Sequence, residues 1–135
     1  MKVLVASPEL YPFVKTGGLA DVTGALPKTL RKLGVDVRVI LPKHKGIEEL
    51  GFPLRYGNHR IACRVSQTYV DAEIVESKYD GVTAYLVEKD EYYYRDYLYS
   101  TPDGDYLDNA ERFIFFSKSI LEAIRILDFV PDVLH

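Results

Sequence analysis

Two short apolar runs bracket a helical pattern, and that arrangement leaves the chain few folds to choose from. Lys2-Val3-Leu4-Val5-Ala6-Ser7 and Asp36-Val37-Arg38-Val39-Ile40-Leu41 are rich in β-branched residues, and each is closed by a proline, Pro8 or Pro42. Such runs suit strands buried on both faces, as in a parallel sheet. Between them Leu19, Val22, Leu26, Leu30 and Leu33 recur at spacings of three and four. That spacing predicts one face of an α-helix, kinked at Pro27 and stopped at Gly34. Strand, helix and strand within about forty residues make a βαβ unit, whose crossover lays the helix over the sheet.

The rest of the chain extends this scheme. Residues 60–66, 69–76 and 82–87 carry strand patterns, the last two separated by the hairpin signal Lys78-Tyr79-Asp80-Gly81. Residues 88–107 read as a loop, and six of the eleven tyrosines lie between Tyr92 and Tyr106. A second helix starts at Asp108, with Glu111 completing a capping box. Its expected inward face is Ala110, Phe113, Ile114, Ser117, Ile120, Leu121, Ile124 and Leu127. Pro131 resets the chain, and Val133-Leu134-His135 opens a further strand. The predicted class is α/β: a Rossmann-like parallel sheet with flanking helices and a β-hairpin-rich insertion.

Composition narrows the function. The 135 residues are enough for one domain's core, and 47% hydrophobic with 27% charged residues argues against a disordered, collagen-like or disulfide-scaffold chain. A net charge of −3 without a polybasic run argues against a nucleic-acid binder. Apolar runs stay well short of the ~18–20 residues that span a bilayer, and one lysine before a strand is no signal peptide, so a cytoplasmic protein is expected. Cys63 is the single cysteine, and its alternating apolar neighbours place it buried and inert. His44 and His59 stand in loops without partners at ligand spacing, which reads as surface histidines. No metal set and no Ser-His-Asp pattern is present.

The densest chemistry follows the first strand, where open parallel sheets bind ligands. Glu9, Lys15, Thr16, Gly17, Gly18 and Asp21 crowd the segment that feeds the first helix. Two glycines let backbone approach a ligand, and the free N–H groups of a first helical turn favour phosphate. Lys15 beside them is a mobile point charge suited to a di- or triphosphate. Spacing alone fits an ordinary glycine-opened helix with a solvated lysine equally well. Neither Gly-x-Gly-x-x-Gly nor Gly-x-x-x-x-Gly-Lys-Ser/Thr occurs, which argues against a dinucleotide-binding unit and a P-loop.

Lys15-Thr16-Gly17-Gly18-Leu19-Ala20-Asp21-Val22, with Ser7-Pro8-Glu9 before it and Gly24-Ala25-Leu26-Pro27 after it, resembles the N-terminus of bacterial glycogen synthases and plant starch synthases. These are retaining ADP-glucose glucosyltransferases with two Rossmann-like domains around a cleft, the GT-B architecture. The resemblance continues through residues 34–42 and returns at Asp108-Asn109-Ala110-Glu111-Arg112-Phe113 and Pro131-Asp132-Val133-Leu134-His135. It implies that residues 1–135 are a truncated N-terminal domain, inactive alone, whose C-terminal nucleotide-binding domain lies outside this chain.

For single residues the resemblance implies the following. Lys15 contacts the donor phosphates, and Gly17 and Gly18 offer backbone N–H groups to the same diphosphate. Glu9 and Asp21 occupy acidic cleft positions that hold sugar hydroxyls or orient Lys15, although a first-turn carboxylate such as Asp21 also suits the helix dipole unaided. Tyr94 and Arg95 align with the acceptor region, where an aromatic face suits sugar C–H surfaces; a tyrosine-rich loop packed on its own domain fits as well. His135 matches the start of an active-site loop. The implied partners are a nucleotide sugar, an α-1,4-glucan, the missing domain and, if the interrupted sheet pairs with a copy, a homo-oligomer. No metal or organic cofactor is implied, ADP-glucose being substrate. A non-catalytic glucan- or nucleotide-binding module, and another GT-B enzyme using UDP-glucose or sucrose, stay open at this point.

Overall fold

In the computed structural model, which describes residues 1–135, the two apolar runs pair as parallel neighbours. Strand β1 (Lys2–Ala6) sets Val3 against Val37 and Val5 against Val39 of β2 (Asp36–Pro42). Successive side chains enter opposite cores. Val3, Val5, Val37 and Val39 go to one, Leu4 and Ile40 to the other. Both faces are covered, so polar alternation is absent from β1.

β5 (Val82–Glu88) pairs parallel with β2, and β8 (Val133–Leu134) pairs parallel with the free side of β1. β4 (Thr68–Tyr79) and β3 (Arg55–Val65) continue antiparallel beyond β5, giving one six-stranded sheet in the order β3-β4-β5-β2-β1-β8. The hairpin-rich segment therefore lengthens the sheet, and Ile61, Cys63, Val65 and Ile74 share a core with Leu4. Cys63 is buried as expected, and burial raises its thiol pKa. Asp80 and Gly81 make the predicted β4–β5 turn with φ of 46° and 80°, a left-handed pair that Asp-Gly tolerates. No helix is long and apolar enough to cross a membrane.

Helix α1 (Gly18–Lys32) runs unbroken through Pro27 and lies against β2 and β5. Its end is a Schellman motif: Gly34, at φ 82°, donates to the Arg31 carbonyl and Val35 donates to the Leu30 carbonyl. The apolar stripe read from spacing is its packed face only in part, through Leu30. Leu19, Val22 and Leu33 are exposed, and the buried residues are Ala20, Thr23, Gly24 and Pro27. The cause is steric. The segment after β1 folds back onto the helix, with Tyr11 N–H donating to the Ala20 carbonyl at 3.0 Å, and a Cβ on Gly24 would lie 2.4 Å from the Tyr11 carbonyl oxygen.

Helix α3 (Asn109–Ile126) covers the opposite core above β3, and its face agrees with expectation only in part: Ile120, Ile124 and Leu127 pack on the core. Arg112, Phe115, Phe116, Ser119, Ile120 and Ala123 are buried, whereas Ala110, Ile114, Ser117 and Leu121 are exposed. A buried arginine breaks the rule that charge marks the outer side, and it turns the helix accordingly. The capping box also fails to close. Asp108 stands at the N-cap but its carboxylate accepts from Arg95, and Glu111 accepts from the Tyr92 hydroxyl. The predicted loop between β5 and α3 contains a short helix α2 (Asp90–Tyr93) and a ribbon of β6 (Ser100–Thr101) and β7 (Gly104–Asp105).

Strand order reverses at β1, with β2 reached through α1 on one side and β8 following α3 on the other. A crevice for ligands opens at the carboxyl end of such a strand. The fold thus singles out the segment after Ala6. Gly24→Ala is expected to lower the stability of this chain by about 2 kcal/mol, because the overlap is with backbone. Urea titration checks this, and an unchanged midpoint would show that the Tyr11 segment retreats freely.

Candidate functional site

The segment from Ser7 to Gly17 is tied down at almost every residue. Ser7 N–H donates to the Ile40 carbonyl at 3.1 Å, continuing the β1–β2 ladder. The Ser7 and Thr23 hydroxyls both donate to the Glu9 carbonyl, at 2.6 and 2.8 Å. Leu10 and Val14 exchange backbone hydrogen bonds around the turn. The buried Glu9 carboxylate closes the loop from inside, its Oε2 accepting from the Thr16 N–H and hydroxyl, both at 2.7 Å. Glu9 thus shapes the loop that carries Lys15, a role its cleft-lining position did not announce.

Lys15, Gly17 and Gly18 meet at the outer end of this loop. The Lys15 ammonium spans both Asp21 carboxylate oxygens at 2.8 and 2.7 Å, and the two side chains are 48% and 55% exposed. Asp21 and Lys15 are thus paired in this structure. No side chain caps α1, so its first N–H groups have no side-chain acceptor. Gly17 has an extended backbone (φ −160°, ψ −166°), and a Cβ at Gly17 or Gly18 would meet nothing within 4 Å. Nothing in the chain itself requires glycine at either position. Gly24, by contrast, is needed for packing alone.

Three further elements reach this end of the sheet. His135 donates its N–H to the Leu4 carbonyl and accepts from Ala6 N–H, which brings it beside the start of the loop. His44, expected on the surface, is 2% exposed; its Nε2–H donates to the Pro8 carbonyl at 2.8 Å and its ring meets Tyr93 edge-on. Burial pushes its pKa down to about 4 despite that hydrogen bond. The signal that could have found it is position: it follows β2, the parallel neighbour of β1, two residues past the strand's carboxyl end. Tyr99 faces Glu9, and burial together with that carboxylate raises its pKa to about 12.

The acceptor pair divides. Tyr94 is 43% exposed, with the Lys45 ammonium 5.8 Å from its ring centre. The Arg95 guanidinium is occupied: it grips Asp108 through two hydrogen bonds at 2.8 and 2.6 Å and donates to the Glu91 carbonyl at 2.6 Å. Arg95 thus holds α3 to the tyrosine-rich segment. No group of three or more His, Cys, Asp or Glu side chains converges as a metal site would require.

The chain is similar to known proteins along its whole length. The family model described as the starch synthase catalytic domain matches residues 2–135. Glycogen synthase of Geotalea uraniireducens is 44% identical over 135 residues, covering all of this chain and 28% of the relative. Glycogen synthase of Clostridium acetobutylicum is 46% identical over 141 residues, again covering all of this chain and 28% of the relative. Among solved structures, the catalytic domain of starch synthase IV from Arabidopsis thaliana, bound to ADP and acarbose, superposes with a TM-score of 0.83 at 25% identity. That match covers 99% of this chain and 27% of the other. The chain spans about 28% of the length of the curated relatives it matches.

His44 offers a ligand-free test of the loop. With a usual pKa of 6.5 lowered to about 4, the unfolded chain binds a proton in that window that the folded chain refuses. Stability contributed by neutral His44 is complete above pH 6.5 and falls as pH drops toward 4, by about 3 kcal/mol in the limit. His44→Asn, which keeps a donor toward Pro8, should flatten that part of the profile in denaturant titrations at stepped pH.

Proposed function

The chain belongs to the starch synthase catalytic-domain family, and from that premise we propose that it is the N-terminal wall of the active site of a retaining ADP-glucose:α-1,4-glucan glucosyltransferase. One observation carries the reading. A cation, a run of uncapped N–H groups and two glycines without a packing purpose meet at the carboxyl end of β1. Together they suit a diphosphate, whose oxygens accept from N–H groups and attract the ammonium. Nucleotide and glucan as partners gain support from the ADP and acarbose in the plant starch synthase structure.

The chemistry follows from where charge grows. As the bond from glucose to the donor oxygen breaks, negative charge builds on the departing diphosphate. N–H groups held rigid before the event stabilise that charge without reorganising. Lys15 must exchange Asp21 for phosphate. An ion pair this exposed is worth only about 0–1 kcal/mol, so Asp21 aims the ammonium without holding it back. In this reading the missing domain supplies the nucleotide-base site, and closure of the two walls brings Lys15 to the diphosphate. Glu9 acts beneath this surface by fixing Thr16, His135 leads toward the sugar, and Tyr94 offers a face to the glucan. The reaction draws on no resident metal or organic cofactor.

In the complete enzyme, Lys15→Ala is expected to raise the ADP-glucose KM or lower kcat/KM by about 10²-fold while the glucan KM stays within about threefold, as steady-state kinetics will report. Gly17→Ala and Gly18→Ala separate fold from function: stability should stay within about 0.5 kcal/mol while ADP-glucose affinity drops at least about tenfold. The 135-residue chain alone should not extend glucan. Incorporation of labelled glucose by that chain would refute the two-walled reading, and a preference of the complete enzyme for UDP-glucose would refute the donor assignment.

A further inference from the structure

Arg112 is fully buried, and no carboxylate pairs with it. Asp108, the acid whose charge reaches it, is gripped by Arg95. A desolvated guanidinium without a counter-ion is costly, and an apolar side chain of similar volume would fill this place more cheaply. What the arginine does have is a fork spread over the tyrosine-rich segment. Its Nε donates to the Tyr92 carbonyl at 2.7 Å, and its Nη1 donates to the Leu98 carbonyl at 2.9 Å and to Asn109 Oδ1 at 2.7 Å. Its Nη2 has no partner. The rings of Tyr106, Phe113 and Tyr93 surround it at 5.0, 5.3 and 5.8 Å from their centres.

The core holds Tyr92 and Tyr93, and Arg95 grips Asp108, but regular secondary structure adds little. β6 and β7 pair over two residues each, and α2 is a single turn. Asn109, itself fixed by Arg112, donates Nδ2–H to the Tyr99 carbonyl at 2.8 Å. Tyr106 also meets the Arg95 guanidinium at 4.7 Å, so one ring lies against both arginines. Arg112 thus fixes the backbone on either side of Tyr94, at the Tyr92 and Leu98 carbonyls, and reaches the Tyr99 carbonyl through Asn109.

We propose that Arg112 is a positioning residue for the acceptor side of the site: its guanidinium fork fixes residues 92–109, setting Tyr94 at the rim and Tyr99 against Glu9. This rests on the glucan-acceptor reading above. A lysine keeps the charge but cannot reach three carbonyl-type acceptors in one plane.

The test uses the complete enzyme and compares the two substrates. Arg112→Lys is expected to raise the glucan KM by about tenfold, with the ADP-glucose KM within about twofold and kcat within about threefold. Asn109→Ala removes only the Tyr99 carbonyl bond and one Arg112 acceptor, so it serves if Arg112→Lys does not fold; it should raise the glucan KM by about threefold with the same selectivity. Folded variants in which both KM values stay put, or rise together, overturn the proposal and leave the transferase reading intact. A parent enzyme that transfers no glucose to glucan removes the transferase reading and this proposal with it.

Discussion

β1 is paired on both sides and covered on both faces, and the rest of the structure is arranged around that fact. Its neighbours β2 and β8 arrive from crossovers that leave in opposite directions, so no helix lies directly beyond its carboxyl end. The chain leaving Ala6 must therefore turn out of a rigid sheet into an open crevice and come back onto α1. Gly24 allows the return by letting the Tyr11 carbonyl occupy the space of a side chain. The Glu9 carboxylate, His44 and the hydroxyls of Ser7 and Thr23 then satisfy the polar groups that such a turn would otherwise bury unpaired.

Charges in this molecule fall into two kinds, distinguished by solvent. Lys15 and Asp21 meet in water, where their attraction is weak and reversible. Arg112 and Lys43 are buried, and their hydrogen bonds are structural. The Lys43 ammonium lies between Glu48 and Glu88; burial alone would lower its pKa, and the two carboxylates outweigh burial and raise it. Rigid charge beneath and loose charge above is the division expected of a preorganised site.

Legibility followed the range of the interaction. Strand and helix placement came from hydrophobic period, and the Asp80-Gly81 turn and the Gly34 stop came from φ preferences that act within a few residues. The packed faces of α1 and α3 are only partly legible, for one reason. Periodicity assumes that the largest apolar residues face inward. Here backbone approach at Gly24 and the hydrogen-bonding needs of the tyrosine-rich segment at Arg112 overrode that rule. The buried His44, the occupied Arg95 and the Tyr99–Glu9 contact were hidden likewise, since each depends on a partner 13 to 90 positions away in sequence.

By itself the sequence determined the α/β class, the order of elements and the segment that holds Lys15, Gly17 and Gly18, because short-range sterics and hydrophobic period are written residue by residue. Only the tertiary structure decided which glycines serve packing and which do not, which carboxylate pairs with the lysine and which shapes the loop. It also decided that one arginine is spent on Asp108 and another is buried under six tyrosines' worth of loop. Those outcomes depend on who meets whom across the fold, and a hydrogen bond or a close contact has no period along the chain to read.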